Sequence, residues 1–366
     1  MPRGRRPYTL ADSDLNDALD DLLAKSAERY GNDQGLDLVR EMIVTSLRLL
    51  RDGADRGELR LVNSALKELR HSFRVFRPYE HVRKVAVFGS ARTQPGSPEW
   101  LQAEAFSQGI VDAGWMVITG AGGGVMAAAQ GGAGREASFG VNLWQPIEQL
   151  ANETIAGDDK LINFRYFFTR KVTFVRESHA IVLLPGGFGT LDEGFEALTL
   201  IQTGKSELLP VVFLDAPGGT HWRDWFSFVE NDLARNGRID PDDLSLFTVT
   251  DDVDVALREV WNFYSNYHSS RHVRDQHVIR LREAPSRARL SQLNEEFADL
   301  LADVPMTVGG PHPDERGEVP ECARLYLQHD RRKVGRLRQL VDRLNEDVAR
   351  TAAPPGDAVA HEIVPM

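Results

Sequence analysis

Six short apolar runs constrain the fold of this chain more than any other feature of its sequence. They lie between Val82 and His268, and they alternate with amphipathic stretches and glycine-rich turns. Almost every residue in most of the runs is apolar, as expected for strands that are covered on both faces. The runs occupy residues 84–88, 115–119, 139–143, 180–184, 209–214 and 246–249. This pattern predicts an α/β fold with a Rossmann-like, doubly wound parallel sheet.

The predicted sheet also indicates where a ligand would bind. In open parallel sheets, ligands lie beyond the carboxyl ends of the strands, where the N-termini of the following helices converge. The functional residues are therefore expected in the loops that follow Phe88, Thr119, Leu143 and Leu184.

Two further regions flank this predicted domain, which we place at residues 81–269. Residues 1–80 are predicted to form a helical region, because apolar residues recur there at spacings of three and four. The residues of this stripe are Leu36, Val39, Ile43, Leu47 and Leu50. Residues 270–350 are predicted to form a small α+β unit, in which strands at 277–281 and 323–328 precede helices at 291–301 and 335–345. Residues 351–366 resemble a frayed tail.

Charge and composition exclude several functional classes. The 43 Lys and Arg residues against 54 Asp and Glu give a net charge of −11, so no general basic field attracts nucleic acid or an anionic membrane. The only cysteine, Cys322, can form neither an intrachain disulfide nor a zinc-thiolate cage, which favours a reducing cytoplasm. We found no signal-peptide core and no apolar stretch long enough to span a membrane. We therefore expect a cytoplasmic protein without a membrane or nucleic-acid partner.

Two turns have the composition of a phosphate-binding loop. Gly89-Ser90 follows the first predicted strand and leaves backbone amides and a hydroxyl accessible, although an ordinary strand-to-helix turn would have the same sequence. Gly120, Gly122, Gly123 and Gly124 follow the second strand and open a helix, so amides and the positive helix end can face an anion. The spacing fits neither a dinucleotide fingerprint nor a P-loop.

The segment Pro185–Glu193, PGGFGTLDE, carries the strongest signal. Gly186, Gly187 and Gly189 precede Thr190 at a predicted helix start, and Glu193 follows three residues later. The carboxylate of Glu193 could act in catalysis. It could equally complete a capping box in which Thr190 is the N-cap and Glu193 the N3 residue.

These elements together resemble one known family. The motifs FGSAR (88–92), TGAGGGVMAAAQGGA (119–133), PGGFGTLDE (185–193) and a helical Arg170-Lys171 pair 23 residues before Glu193 resemble the LONELY GUY (LOG) family of nucleoside 5′-monophosphate phosphoribohydrolases. The resemblance spans roughly Lys84 to Leu214. Many members carry the older label of lysine decarboxylase, but no lysine here is placed for a pyridoxal Schiff base.

The resemblance implies an activity and assigns residues to it. Members hydrolyse the N-glycosidic bond of AMP or a cytokinin riboside monophosphate, and they are typically dimers or larger. The catalytic residues of the family correspond to Arg170 and Glu193. The expected substrate- and phosphate-binding residues are Gly89, Ser90, Gly120, Gly122, Gly123, Gly124, Met126, Lys171, Gly186, Gly187, Gly189 and Thr190. We therefore expect a homo-oligomeric hydrolase, with a non-hydrolytic nucleotide or cofactor carrier as the alternative.

No cofactor or metal is expected from the sequence. His268 and His272 have the i, i+4 spacing of helical zinc ligands, but they lie at a predicted helix end without a third nearby ligand.

Overall fold

The computed structural model describes residues 8–144, 150–315 and 319–346. The chain divides into two compact units, Met1–Lys67 and Glu68–Met366. The predicted domain boundaries after residues 80 and 269 remain predictions, and the predicted tail at 351–366 lies outside the described residues.

The first unit is helical. It contains α1 (Ser13–Tyr30), α2 (Leu36–Arg51) and the start of α3 (Arg56–Phe76). The carboxylate of Asp12 caps α1 by accepting a hydrogen bond from the Leu15 amide. Leu19, Leu23 and Val44 form its small buried core. Val44 is thus the fully buried residue of α2, although it lies beside the predicted apolar stripe and not in it.

The second unit contains a seven-stranded sheet. Its strands are β1 (Lys84–Phe88), β2 (Met116–Thr119), β3 (Ser138–Leu143), β4 (Leu161–Phe164), β5 (Ala180–Leu183), β6 (Val211–Leu214) and β7 (Phe247–Thr250). All neighbouring strands are parallel, in the order β4-β3-β2-β1-β5-β6-β7. The predicted doubly wound α/β fold is therefore confirmed. The edge strand β4 was not predicted, because one face of it is partly exposed and its apolar signal is weak.

Helices cover both faces of this sheet. They are α4 (Pro98–Asp112), α5 (Val125–Ala133), α6 (Phe167–Glu177), α7 (Phe188–Gln202), α8 (His221–Phe228), continued by a π-helical turn at Val229–Ala234, and α9 (Val253–Phe263). Short 3-10 helices occupy Arg77–Tyr79 and Pro241–Leu246. Because the strands are covered on both sides, β1, β2, β5 and β6 are buried along their whole length.

The strand order places the switch point of the sheet between β1 and β5. From β1 the chain winds through β2 and β3 to one edge, whereas from β5 it winds through β6 to the other. Phe88 pairs with Leu183 at the carboxyl ends of the two strands. Just beyond them, the Ser90 amide donates to the Pro185 carbonyl over 3.1 Å. The loops that follow β1 and β5 are thus joined where such folds bind ligands.

A second, antiparallel sheet follows. It contains β8 (Tyr267–Val273), β9 (Gln276–Leu281), β10 (Thr307–Gly309) and β11 (Ala323–Leu327), in the order β10-β11-β9-β8. Helices α10 (Arg287–Glu296) and α11 (Val334–Glu346) accompany it, with a 3-10 turn at Pro313–Glu315. The predicted strands at 277–281 and 323–328 correspond to β9 and β11. The helix end predicted around His268 and His272 is wrong: both lie in β8, which buries polar residues and therefore lacks an apolar signature.

Within the described ranges, no helix has both the length and the apolar composition needed to cross a bilayer.

Candidate active site

A cleft of about 610 Å³ opens at the switch point of the parallel sheet. Residues from the ends of β1, β2 and β3 and from α5, α6 and α7 line it. The lining residues are Phe88, Gly89, Ser90, Ala91, Arg92, Gly120, Met126, Asn142, Leu143, Phe167, Arg170, Gly187, Phe188, Gly189, Thr190, Leu191, Asp192 and Glu193. The elements around the cleft are thus those to which the sequence assigned a function.

The structure brings most of the predicted site residues together in this cleft. Those on its wall are Gly89, Ser90, Gly120, Met126, Arg170, Gly187, Gly189, Thr190 and Glu193. Among the described residues, five predicted positions do not line the cleft: Gly122, Gly123, Gly124, Gly186 and Lys171.

Helix α7 points its N-terminus into the cleft. Gly187 is its N-cap residue and has no capping side chain, so Thr190 is the third residue of the helix. The capping-box alternative for Thr190 and Glu193 is therefore wrong. Gly187, Phe188 and Gly189 are exposed at this helix end, where amides and the helix dipole favour an anion.

Helix α5 begins beside the same wall. Its N-cap, Gly124, has φ +62° and ψ −134°, a conformation that side chains disfavour. A Cβ at Gly124 would also overlap the carbonyl oxygen of Ser90. That carbonyl accepts a hydrogen bond from the Val125 amide over 3.0 Å. Gly124 therefore allows the start of α5 to pack directly against the loop that follows β1.

Arg170 projects from α6 into the cleft. Its Nε donates to the Val141 carbonyl over 3.0 Å, and its guanidinium lies 5.3 Å from the ring centre of Phe174. A Cβ at Gly120 would lie only 2.5 Å from Nη2 of Arg170. The glycine at this position is thus what lets the guanidinium reach the cleft. Burial lowers the pKa of Arg170, and the negative charge of Glu193 opposes that shift.

Glu193 lies on α7 across from this guanidinium and is partly buried. Burial raises the pKa of its carboxyl group to about 7, although the positive charges of Lys171 and Arg170 act in the opposite direction. A carboxyl group with a pKa near neutrality can accept a proton at physiological pH more effectively than an ordinary, fully ionised one. Such shifted carboxyl groups are typical of catalytic clefts.

Lys171 neutralises the carboxylates on either side of Glu193. Its Nζ lies 2.8 Å from a carboxylate oxygen of Asp192 and 2.8 Å from one of Glu196. Both carboxylates would otherwise raise the pKa of Glu193 further. Lys171 is therefore placed to influence the charge state of Glu193.

Sequence reasoning missed several residues of the cleft. Arg92 belongs to the FGSAR motif but is not among the predicted site residues, although its exposed side chain lines the cleft. Asn142 lies in β3 and donates to Asn163 on β4, a pairing that only the structure reveals. Phe167 and Phe188 also line the cleft and leave 57% and 92% of their surface exposed, a property that only the structure reveals.

Comparison with known proteins places the chain in a family. The family model described as "Possible lysine decarboxylase" matches residues 123–260. A cytokinin riboside 5′-monophosphate phosphoribohydrolase of Mycobacterium tuberculosis is 32% identical over 180 residues, which cover 48% of this chain and 91% of that protein. The protein with the same name from Mycobacterium marinum is 30% identical over the same coverage. The chain therefore belongs to the LOG family.

A solved structure with a similar core is the molybdenum cofactor carrier protein of Chlamydomonas reinhardtii. It is 25% identical, and the match covers 48% of this chain and 94% of that one with a TM-score of 0.33.

Proposed function

We propose that the protein hydrolyses the N-glycosidic bond of a nucleoside 5′-monophosphate, releasing the free base and ribose 5-phosphate. The observation that carries this proposal is the meeting of Glu193, Arg170 and the N-terminus of α7 in one cleft. The names of the two mycobacterial relatives support the same substrate class. AMP or a cytokinin riboside 5′-monophosphate is therefore the substrate that we propose first.

The 5′-phosphate binds at the N-terminus of α7 in this proposal. The exposed turn at Gly187 and Gly189 offers backbone donors and the positive end of a 15-residue helix. The Thr190 amide already donates to the Gly187 carbonyl over 3.0 Å, so Thr190 contributes through its side chain. Arg92, whose exposed side chain also lines the cleft, adds a positive charge that can approach the phosphate dianion.

Glu193 acts on the reacting carbon. Cleavage of the C1′–N bond develops positive charge on the ribose, which a carboxylate beside C1′ stabilises. Glu193 also accepts a proton from the attacking water, whose oxygen forms the new bond to C1′. The electron pair of the broken C1′–N bond leaves with the base, which takes up a proton. The pKa of about 7 lets Glu193 alternate between its two protonation states during this cycle.

Arg170 holds the departing part of the substrate. Its hydrogen bond to Val141 and its passage over Gly120 fix the guanidinium in one direction. A fixed donor near the C1′–N bond stabilises charge that develops on the leaving base. The exposed rings of Phe167 and Phe188 offer flat apolar surface for that base.

We also propose that the protein acts as a homo-oligomer, as the family resemblance implies.

The decisive variant is Glu193→Gln, with Asp192→Asn as its matched control. Asp192 is the neighbouring carboxylate on α7, and it is already paired with Lys171. We expect Glu193→Gln to bind AMP but to lose at least about 1000-fold in kcat, because general-base and electrostatic contributions are both removed. Asp192→Asn should lose less than about tenfold, since it loses only a partly screened ion pair.

Adenine release by chromatography and AMP binding by calorimetry measure the two quantities on the same preparations. If Glu193→Gln retains most of the turnover, the proposed role of Glu193 is wrong. If the wild type binds AMP and releases no adenine, the protein is a nucleotide carrier and not a hydrolase.

A further inference from the structure

Three histidines gather on the antiparallel sheet, far along the chain from the residues of the cleft. His272 on β8 and His277 on β9 are direct cross-strand partners at the end of the hairpin, so their side chains share one face. His277 also pairs in register with Leu327 of β11, and His329 follows two residues later. One ring nitrogen from each of the three lies within 4.8 Å of the other two.

The hydrogen bonds of His329 fix which of its nitrogens carries a lone pair. Its Nδ1 lies 3.1 Å from the Asp330 carbonyl, which can only accept, so Nδ1 carries the proton. Its Nε2 is therefore unprotonated and accepts a hydrogen bond from Nδ1 of His277 over 3.0 Å, and a metal ion would replace that proton. A ring N–H that donates to a backbone carbonyl is the usual outer contact of a histidine that binds a metal.

A second observation that points to a ligand, independent of the spacing of the three rings, comes from His272. Its Nε2 is buried and has no hydrogen-bond partner among the described residues. A buried polar atom without a partner is costly, and such atoms commonly mark an ion or ligand that the protein binds. The ring of His272 stacks on that of His277 with centroids 4.5 Å apart, which keeps it beside the other two.

We propose that His272, His277 and His329 bind a divalent transition metal ion of the zinc type, with a water or a small anion as the fourth ligand. Three imidazoles and one open position form a common zinc environment, and imidazole ligands suit this class of ion. Tetrahedral zinc with bonds of about 2.0 to 2.1 Å places its ligand nitrogens about 3.3 Å apart. The 3.0 Å pair already has nearly this spacing, and modest side-chain rotation brings in the third nitrogen.

The protonation of the three imidazoles agrees with this assignment. Burial lowers the pKa of His277 and His329, and it lowers that of His272 to about 4. Burial thus favours the neutral form of all three, which is the form that binds a metal. The exposed Arg331 lowers the same pKa values and weakens cation binding, but solvent screens a charge at the surface.

A metal ion here would join three segments of the chain. It would link the ends of the β8–β9 hairpin to the residues that connect β11 with α11. Binding to the folded state alone raises stability by mass action, so the metal should raise the melting temperature. This readout does not depend on nucleotide hydrolysis, so the proposal stands or falls separately from the proposed function.

The test uses the full-length protein with any purification tag removed and metal stripped by a chelator. Calorimetric titration with ZnCl₂ measures affinity and stoichiometry in the wild type, His329→Gln and His272→Gln. His81→Gln is the control, since the side chain of His81 is 82% exposed and lies outside the cluster. Titration with CoCl₂ adds an absorption spectrum that distinguishes tetrahedral from octahedral coordination.

We expect one Zn²⁺ per wild-type chain with sub-micromolar affinity, a higher melting temperature and a tetrahedral Co²⁺ spectrum. His329→Gln and His272→Gln should weaken binding by more than about 100-fold, since loss of an outer partner alone costs about 10- to 100-fold. His81→Gln should bind like the wild type. An octahedral Co²⁺ spectrum, binding only at millimolar metal, or unchanged affinity in both cluster variants would overturn the proposal. If a variant fails to fold, the Co²⁺ spectrum of the wild type still tests the proposal, because tetrahedral coordination supports it and octahedral coordination overturns it.

Discussion

The cleft of the parallel sheet and the histidine cluster of the antiparallel sheet are built in different ways. The cleft collects residues from loops that each follow a strand, so its residues form compact motifs such as Pro185–Glu193. The histidine cluster draws on two adjacent strands and on a residue 52 positions beyond His277. Parallel topology therefore leaves a local signature in the sequence, whereas antiparallel pairing brings together residues without one.

Burial also acts on both regions with opposite chemical results. In each region it favours the neutral form of the ionisable group. For Glu193 the neutral form is the protonated acid, so the pKa rises into the range useful for proton transfer. For His277 the neutral form has a free lone pair, so burial prepares a ligand for a metal. The same physical effect thus supports acid–base chemistry in one region and metal binding in the other.

Besides the loss expected for Glu193→Gln, the largest effect that we expect concerns the anion site of the cleft, which has no counterpart in the histidine cluster. Adenosine lacks the 5′-phosphate and cannot use the helix end at Gly187. Loss of two charge-assisted contacts lowers kcat/KM by about 1000-fold relative to AMP. Steady-state rates with the two compounds measure this ratio, and equal rates would contradict the phosphate site.

A smaller loss is expected for Arg170→Gln. Removal of the guanidinium that is fixed by Val141 should lower kcat by about 100-fold, as for the loss of one preorganised donor. Arg176→Gln is the control on the same helix, because its guanidinium lies over the ring of Phe73, 4.2 Å from the ring centre. Steady-state kinetics measure kcat for both variants, and only Arg170→Gln should show the large loss. Equal losses of kcat would indicate that both substitutions act through the structure of α6.

Substitution of a glycine that supports the loops of the cleft should change the stability of the protein. Gly124→Ala introduces a side chain at φ +62° against the Ser90 carbonyl, so the free energy of unfolding should fall by at least about 2 kcal/mol. Gly123→Ala is the neighbouring control, since its Cβ would meet the Ala91 carbonyl oxygen at an ordinary 3.5 Å. Urea denaturation compares the two. A stable Gly124→Ala protein would show that the loop can adopt another conformation.

The smallest effect is the pH dependence of the reaction. Glu193 must be ionised to accept a proton, so kcat/KM should rise about tenfold per pH unit below pH 7 and level off above it. A profile that is flat from pH 5.5 to 8 would argue against Glu193 as the base.

The sign of the accompanying stability change follows from the same pKa. The folded-state pKa of about 7 lies above the ordinary value of 4.5, so ionising Glu193 costs stability as the pH rises through this interval. Glu193→Gln removes that cost, and its stability relative to the wild type should therefore be greater at pH 8 than at pH 4.5. Chemical denaturation at the two pH values measures the difference.

These two regions also show what the sequence could and could not predict. The apolar runs predicted six of the seven parallel strands, because burial on both faces requires continuous apolar sequence. Strand β8 was missed because it buries Ser269 and Ser270 among its polar residues, and burial of hydrogen-bonded polar groups has no sequence signature. His272 was consequently paired with His268, which instead bonds to Ser269.

The limits of what the sequence could predict about the cleft have a similar cause. Glycine-rich turns predicted its walls, but the roles of individual positions depended on packing. Lys171 is predicted to bind substrate, and only the structure shows its ion pairs with Asp192 and Glu196. The position of a helix start also depends on tertiary contacts, so the helix start predicted at Thr190 lies three residues further along the chain than the N-cap Gly187.

The most direct test of the central claim is incubation of the full-length protein with AMP in the presence of a chelator. The cleft contains its own acid–base group and cations, so we expect adenine and ribose 5-phosphate to form in equal amounts without added metal. Chromatography of the base and an enzymatic assay of the sugar phosphate quantify both products. Recovery of intact AMP after demonstrated binding, or its conversion to adenosine and phosphate, would contradict the account.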